Sequence, residues 1–352
     1  MNRTKSLVLA ALLGAAPVAA AQVQLNGAGA TFPNIIYQNW MLTYNQAHPD
    51  VKLNYQSIGS GGGIRQFSDG TVDFGGTDAP MTDSAIAAIN GNVLHIPTVL
   101  GAVVVAYNLE GATQAVKLTP DVLADIFLGK VTKWNDARIA SVNSGITLPN
   151  QDIIVVHRSD GSGTSFVFTD YLSKVSPEWQ QKVGKGPSVN WPVGLGGRGN
   201  EGVAATVRQT PGAVGYVELG YAMINKMPFA TIRNQAGNWI APSLESVTAA
   251  AGGAMKDMGP NTDFRVSITN SPGGKAYPIS SFTWLLIHKT YDDSAKARAL
   301  IQFVWWAEND GQGKAPELGY APLPKDFRPW IQTRLKSIMS NGRAAWKGPS
   351  AE

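Results

Sequence analysis

Apolar runs of strand length alternate along the chain with stretches of helical period, the pattern of an α/β protein. Val103 to Tyr107, Ile153 to His157 and Phe282 to Ile287 are short, rich in β-branched or aromatic residues, and apolar without alternation. That predicts strands inside a sheet covered on both faces. Residues 33–47 read as a helix with Pro33 at its first position, and residues 294–309 place Leu300, Ile301, Val304 and Trp305 on one stripe before Gly311 stops it. Turns such as Pro211-Gly212 and Pro272-Gly273-Gly274 punctuate the second half, yet no repeat and no long polar linker occurs. At 352 residues the chain is too long for one ordinary core, so two domains are expected. Without a linker, those domains should share more than one chain crossing.

Composition narrows the function classes. Hydrophobic residues make up 44% of the chain, enough to fill two cores, which excludes disorder for the bulk. Only 15% are charged, the net formal charge is +4, and no Lys/Arg stripe occurs, which argues against a nucleic-acid partner. The absence of cysteine removes thiolate metal sites, disulfides and cysteine nucleophiles. Residues 1–21 read as a cleaved secretory signal: Arg3 and Lys5, an apolar run from Leu7 to Ala16, then Ala19-Ala20-Ala21 ahead of Gln22. The run is shorter than a bilayer requires and Pro17 follows it, so a membrane span is the weaker reading. With no cysteine after the cleavage site there is no lipid anchor, and a soluble mature protein is expected in a periplasm.

Four segments put glycines and hydroxyls just ahead of an expected helix: GAGATFP at 27–33, IGSGGGIRQF at 58–67, GGTDAPM at 75–81 and HRSDGSGTSF at 157–166. A helix start offers free N–H groups and a positive dipole end, so such turns can hold an anion. Taken singly, each is more often a capped helix than a ligand site. Together they exceed what capping needs. Ser60 precedes three glycines, and Ser162-Gly163-Thr164 sets two hydroxyls beside Arg158, whose planar fork suits a tetrahedral oxyanion. Arg158 also has a surface-pair reading with Asp160, compatible with a carboxylate that orients the guanidinium.

Asp78 is the most informative acid. Its plain role is a cap before Ala79-Pro80. In an anion site a carboxylate is satisfied only when the ligand carries a proton to donate, which phosphate does near neutral pH and sulfate does not. Other motifs lead nowhere. GLGGRG at 194–199, with Glu218 downstream, matches a dinucleotide fingerprint, but Trp191-Pro192 stands where a long apolar strand is required, so it reads as a loop. Ser162 lacks the first glycine of a nucleophile elbow, and His48, His95, His157 and His288 are the only histidines. His157 reads as strand-end packing, and no metal-ligand spacing or cofactor motif is present.

At these segments, and across PTVLGAVVVAYNL at 97–109, DIFLGKVTKWND at 125–136 and NWPVGLGGRGNEGVAATVRQTPGAVGYVE at 190–218, the sequence resembles the periplasmic phosphate-binding proteins of high-affinity phosphate ABC importers. The resemblance covers essentially the whole mature chain. It implies an α/β, two-lobed periplasmic solute-binding fold of type II, each lobe a mixed sheet flanked by helices, with residues 22–98 and 278–352 in one lobe and 99–277 in the other. It also implies a phosphate site made of Thr31, Phe32, Ser60, Asp78, Arg158, Ser162, Gly163 and Thr164, with Asp160 pairing the arginine. Gly61 and Thr77 stand where relatives often have serine. The function implied is a monomeric, non-enzymatic receptor that binds inorganic phosphate without a metal or cofactor and docks on a membrane-embedded phosphate permease. The alternatives are a receptor for another oxyanion and a secreted phosphatase or serine hydrolase using Ser162 or Ser60.

Overall fold

A computed structural model describes residues 22–111, 114–255, 258–259 and 262–349, and the secretory leader expected at residues 1–21 lies outside these. Among the described residues no helix is long and apolar enough to cross a membrane.

Eight strands form the main sheet: β1 Val23–Gly29, β2 Val51–Ser57, β3 Phe74–Thr77, β4 Leu94–Tyr107, β5 Ile154–Arg158, β6 Leu195–Gly197, β7 Ala213–Glu218 and β8 Ser280–Ile287. Their spatial order is β2-β1-β3-β8-β4-β7-β5-β6. β1 runs parallel to β2 and β3, and β8 runs antiparallel to β3 and β4. On the other side β4 runs antiparallel to β7, while β7, β5 and β6 are parallel. β4 therefore serves both halves: Leu94 to Ala102 pairs with β8, and Val103 to Tyr107 pairs with β7. Every residue of β4 and β8 is buried, as apolar runs without alternation require.

β4 is much longer than the strand expected at Val103 to Tyr107. Pro97 and Gly101 interrupt its apolar run, and proline normally ends a central strand. Here the register skips Thr98 where Thr283 passes to Trp284, and this bulge carries the ladder past Pro97. The stretch at 194–199 also departs from expectation, since it forms edge strand β6 and a turn into a helix rather than a loop.

The helices that bear on the site are α1 Asn34–Ala47, α2 Ser60–Ser68, α3 Gly163–Val175 and α4 Gly199–Gln209, with α5 Ser294–Asn309 packed on the first half. α5 matches the expected span. The Asp293 carboxylate caps it by accepting the N–H of Ala295 at 2.8 Å and of Lys296 at 3.1 Å. Leu300, Ile301 and Val304 are buried on its inner face, whereas Trp305 is only half-buried against Trp346. One apolar cluster, including Phe32, Val104, Phe168 and Trp284, runs through both halves, giving a mixed α/β molecule of two lobes joined through the central strands.

Near the end of α5, Glu308 is buried in this core, and its Oε1 has no hydrogen-bond partner among the described residues. Burial pushes its carboxyl well above the ordinary range, against the charge of Arg328. The folded protein thus keeps a proton that the unfolded chain releases. The associated stability is fully present below the ordinary carboxylate value and is lost as pH rises through the raised one. Glu308→Gln should therefore stabilise the protein at about pH 8, on the order of 1–3 kcal/mol, because the amide is neutral in both states and folding no longer has to take up a proton. Near pH 4.5, the ordinary value for this group, the gain should largely vanish. Urea unfolding at both pH values measures it, and a variant no more stable than wild type at the higher pH would contradict this account.

Candidate functional site

The turn after β1 carries Thr31 and Phe32 into α1, and three tyrosines tie back its carbonyls. Tyr55 donates its hydroxyl to the Ala30 oxygen at 2.9 Å, Tyr221 to that of Thr31 at 2.7 Å and Tyr320 to that of Phe32 at 2.6 Å. With its carbonyls occupied, this turn has donors to offer: the peptide N–H groups of Thr31 and Phe32 and the Thr31 hydroxyl. α2 starts at Ser60 after Gly59, whose φ of +88° suits glycine and where any Cβ would also collide with the Asp160 carboxylate and the Gly161 carbonyl. The Gly61 N–H crosses to the Gly161 carbonyl at 2.9 Å, tying the Ser60 turn to the loop after β5.

That loop carries the second group of donors. Arg158, at the end of β5, is buried and lays its guanidinium bidentately on Asp160, with Nε donating to Oδ1 at 2.7 Å and Nη2 to Oδ2. Its remaining arm, Nη1, donates to Thr164 Oγ1 at 3.3 Å. Burial works to raise the Asp160 carboxyl, but the Arg158 hydrogen bonds and charge, together with the Gly199 N–H, outweigh it and hold the group below its ordinary value. Asp160 thus stays ionised and orients the fork. Ser162 caps α3 by accepting the Ser165 N–H at 3.0 Å, which leaves its own hydrogen free. The capping reading therefore holds for Ser162 without excluding the other.

Asp78 caps nothing; the following helical turn is capped by Thr82 instead. Its N–H donates to Ser60 Oγ at 3.1 Å, and its Oδ1 accepts the Thr283 hydroxyl at 2.7 Å, a side chain set by the bulge between β4 and β8. Its Oδ2 is buried with no hydrogen-bond partner among the described residues. Burial pushes the carboxyl up to about 7, against the hydrogen bond from Thr283, the charge of Arg158 and the nearby Ser60 hydroxyl. Gly163 faces this acid: a Cβ there would lie closer than 3.0 Å to both Asp78 Oδ2 and Ser60 Oγ. A cavity of about 250 Å³ adjoins Asp78; in its wall Lys185 is paired with Asp170 at 2.8 Å, and Arg265 with Asp83 at 2.7 Å.

The fold thus brings Thr31, Ser60 and Asp78 from one half against Arg158, Ser162, Gly163 and Thr164 from the other, with Asp160 behind the arginine. Phe32 contributes backbone, and its ring is wholly buried. Neither serine hydroxyl is hydrogen-bonded to a histidine among the described residues. His157 stacks on Trp191 and lies near the Arg158 carbonyl, in keeping with strand-end packing.

Sequence reasoning missed Thr283, the three tyrosines and Asn200. Thr283 had a weak signal, the one hydroxyl in the apolar run from Phe282 to Ile287. Asn200 lies just beyond the stretch read as a loop. There Gly199, at φ +70°, gives its N–H to Asp160 Oδ1 at 3.0 Å, so the turn that resembles a dinucleotide fingerprint spends its donor on a protein carboxylate.

A family model described as the PBP superfamily domain matches residues 14–308. The phosphate-binding protein PstS of Xylella fastidiosa is 48% identical over 306 residues, covering 87% of this chain and 83% of that protein. The protein of the same name from Pasteurella multocida is 43% identical over 348 residues, covering 98% and 100%. Among solved structures, a high-affinity periplasmic phosphate-binding protein (PfluDING) bound with phosphate superposes with a TM-score of 0.68 at 20% identity, covering 92% of this chain and 96% of that one. A human phosphate binding apolipoprotein does so with a TM-score of 0.70 at 20% identity, covering 91% and 99%.

Proposed function

Because the chain belongs to the phosphate-binding proteins of the PBP superfamily, we propose that it is an extracytoplasmic receptor that closes two lobes over inorganic phosphate for an ABC importer. Its relatives carry the names of binding proteins, not enzymes, and the hydrolase alternative at Ser60 or Ser162 has no support among them. The chain is a solute-binding subunit. Residues 22–98 and 278–352 would make one lobe and 99–277 the other, a division favoured by the change of β4 partner between Ala102 and Val103. Thr31, Phe32, Ser60 and Asp78 would bind phosphate from the first lobe, and Arg158, Ser162, Gly163 and Thr164 from the second. Export through cleavage after residue 21, a periplasmic location, a monomeric state and docking on the membrane permease complete the proposal.

One observation carries the phosphate reading: the unpartnered, buried Asp78 Oδ2 set among hydroxyl and guanidinium donors. A ring of donors alone would suit any oxyanion. An acceptor among them is satisfied only by an anion that brings a hydrogen, which favours monohydrogen or dihydrogen phosphate over sulfate. Calorimetric titration of the purified protein with phosphate, arsenate and sulfate at two pH values tests this. At the higher pH, with Asp78 ionised, phosphate should bind tightly and sulfate not at all; sulfate binding there within tenfold of phosphate would refute the selectivity argument, and no phosphate binding would refute the function.

A further inference from the structure

Asn200 opens α4, is fully buried, and uses every polar group it has. Its Oδ1 accepts the Glu218 N–H at 3.0 Å, and because a backbone N–H can only donate, this fixes which end of the amide is oxygen. Its Nδ2 then points at the site and divides its two hydrogens between Thr31 Oγ1 at 2.7 Å and Thr164 Oγ1 at 3.1 Å. These are hydroxyls of the two opposed groups of donors. The Asn200 backbone N–H also reaches Thr31 Oγ1 at 3.3 Å, and Arg158 Nη1 reaches Thr164 Oγ1 at 3.3 Å.

A hydroxyl has two lone pairs and one hydrogen. At both Thr31 and Thr164 the two acceptor positions are filled by N–H donors that cannot reverse their role. Each hydroxyl is left with only its hydrogen to give. We infer that Asn200 is a positioning residue that sets the polarity of the phosphate site, locking Thr31 and Thr164 as donors so that neither competes with Asp78 as an acceptor. This rests on the phosphate reading above and deepens it. A site whose hydroxyls could rotate would offer acceptors to a protonated ligand at several places, blurring the selection that Asp78 imposes.

The inference separates three variants by the size of the loss and its pH dependence. Asn200→Ala frees both hydroxyls and should weaken phosphate binding by about 10–100-fold. Asn200→Asp keeps the shape but replaces the donor with a carboxylate that accepts from both threonines. Their hydrogens turn away from the ligand, and the loss should reach about 10³-fold at neutral pH. That loss should shrink as the pH is lowered, because a protonated carboxyl donates again. Combined with Thr31→Val, Asn200→Ala should cost less than it does alone, since one of the hydroxyls it acts through is gone.

Calorimetric titration of wild type and variants with phosphate between about pH 5 and 8, with circular dichroism to check folding, decides the matter. An Asn200→Asp protein that binds like wild type, or whose loss does not change with pH, overturns the inference, as does full additivity with Thr31→Val; a merely structural contact would give the latter two. Should neither Asn200 variant fold, Thr31 decides. Thr31→Ser, which keeps the hydroxyl, should stay close to wild type while Thr31→Val weakens binding at least tenfold, and equal affinities overturn the inference. A wild-type protein that fails to bind phosphate would instead refute the proposed function.

Discussion

Asp78→Asn should give this receptor an affinity for sulfate that the wild type lacks. In the native site the Thr283 hydroxyl donates to Oδ1, leaving Oδ2 as the atom that faces the opposing donors. Above about pH 7, where the Asp78 carboxyl is ionised, a sulfate ion would bring only acceptor oxygens to that atom, so a buried carboxylate oxygen would meet an anion oxygen with no hydrogen between them. Sites that reject a ligand by leaving their own buried polar group unpaired discriminate by roughly 10⁴-fold. Asparagine is nearly the same size. With Thr283 still favouring oxygen on its side, the new Nδ2 takes the place of Oδ2 and donates to any tetrahedral anion. Phosphate loses the bond from its own hydroxyl to a carboxylate and should bind somewhat more weakly, while sulfate gains a donor and sheds a like charge. The preference for phosphate over sulfate should fall by about 10³-fold or more. Competition of both anions in calorimetric titration measures it. Sulfate binding that stays undetectable, with phosphate affinity unchanged, would show that selection against sulfate lies elsewhere.

The raised Asp78 carboxyl adds a pH signature to the same substitution. Burial holds it at about 7, so near neutrality the protein and the bound phosphate compete for protons. Monohydrogen phosphate with an ionised Asp78 and a more protonated pair are both self-consistent, and the wild type should bind over a broad pH range. An asparagine cannot take part in that exchange. Phosphate binding by the variant should follow the protonation of the ligand alone.

How much of this was legible in the chain depended on how far each contact reaches. The strand from Phe282 to Ile287 and the helix over 294–309 were readable because burial on two faces, or on one stripe, writes itself into consecutive residues. The donor-rich turns at Ser60 and Ser162 were readable for the same reason, since glycine and hydroxyl chemistry sits within a few positions. What sets those turns to work does not. Thr283 meets Asp78 across 205 positions, Tyr320 meets Phe32 across 288, and Asn200 meets Thr31 across 169. No local pattern marks a partner at such distances. The mistake at 194–199 has a related cause. An edge strand of three residues needs no long apolar run, because it takes its ladder from β5 and packs Gly197 against α4: a Cβ on Gly197 would lie 2.7 Å from the Val203 nitrogen.

Gly163→Ala should abolish tight phosphate binding while leaving the unliganded protein folded. Gly163 is the first residue of α3, where alanine is the better helix former, so within its own lobe the substitution is neutral or stabilising by about 0.5–1 kcal/mol. Outside its own helix, the three atoms nearest the added methyl belong to the other half of the sheet: Asp78 Oδ2, Ser60 Oγ and Asp78 Cβ, all closer than 3.0 Å. The lobes would have to stay apart by the width of a methyl group, and donors on one lobe would no longer reach a ligand seated on the other. A misfit of this kind costs about 1–3 kcal/mol where packing can adjust. Here the obstacle stands where Asp78 must meet the ligand, so the loss should approach 10³-fold, as expected when a closed geometry is forfeited. Gly63→Ala provides the contrast. Its methyl would strike the backbone of Gly29, Ala28 and Gly76 within a single lobe, so that variant should lose stability even without ligand. Melting curves with and without phosphate separate the two cases. For Gly163→Ala the unliganded transition should stay within a few degrees of wild type, and the phosphate-induced rise should vanish. Retention of that rise at its wild-type size would mean that the two lobes do not meet around the ligand at Gly163.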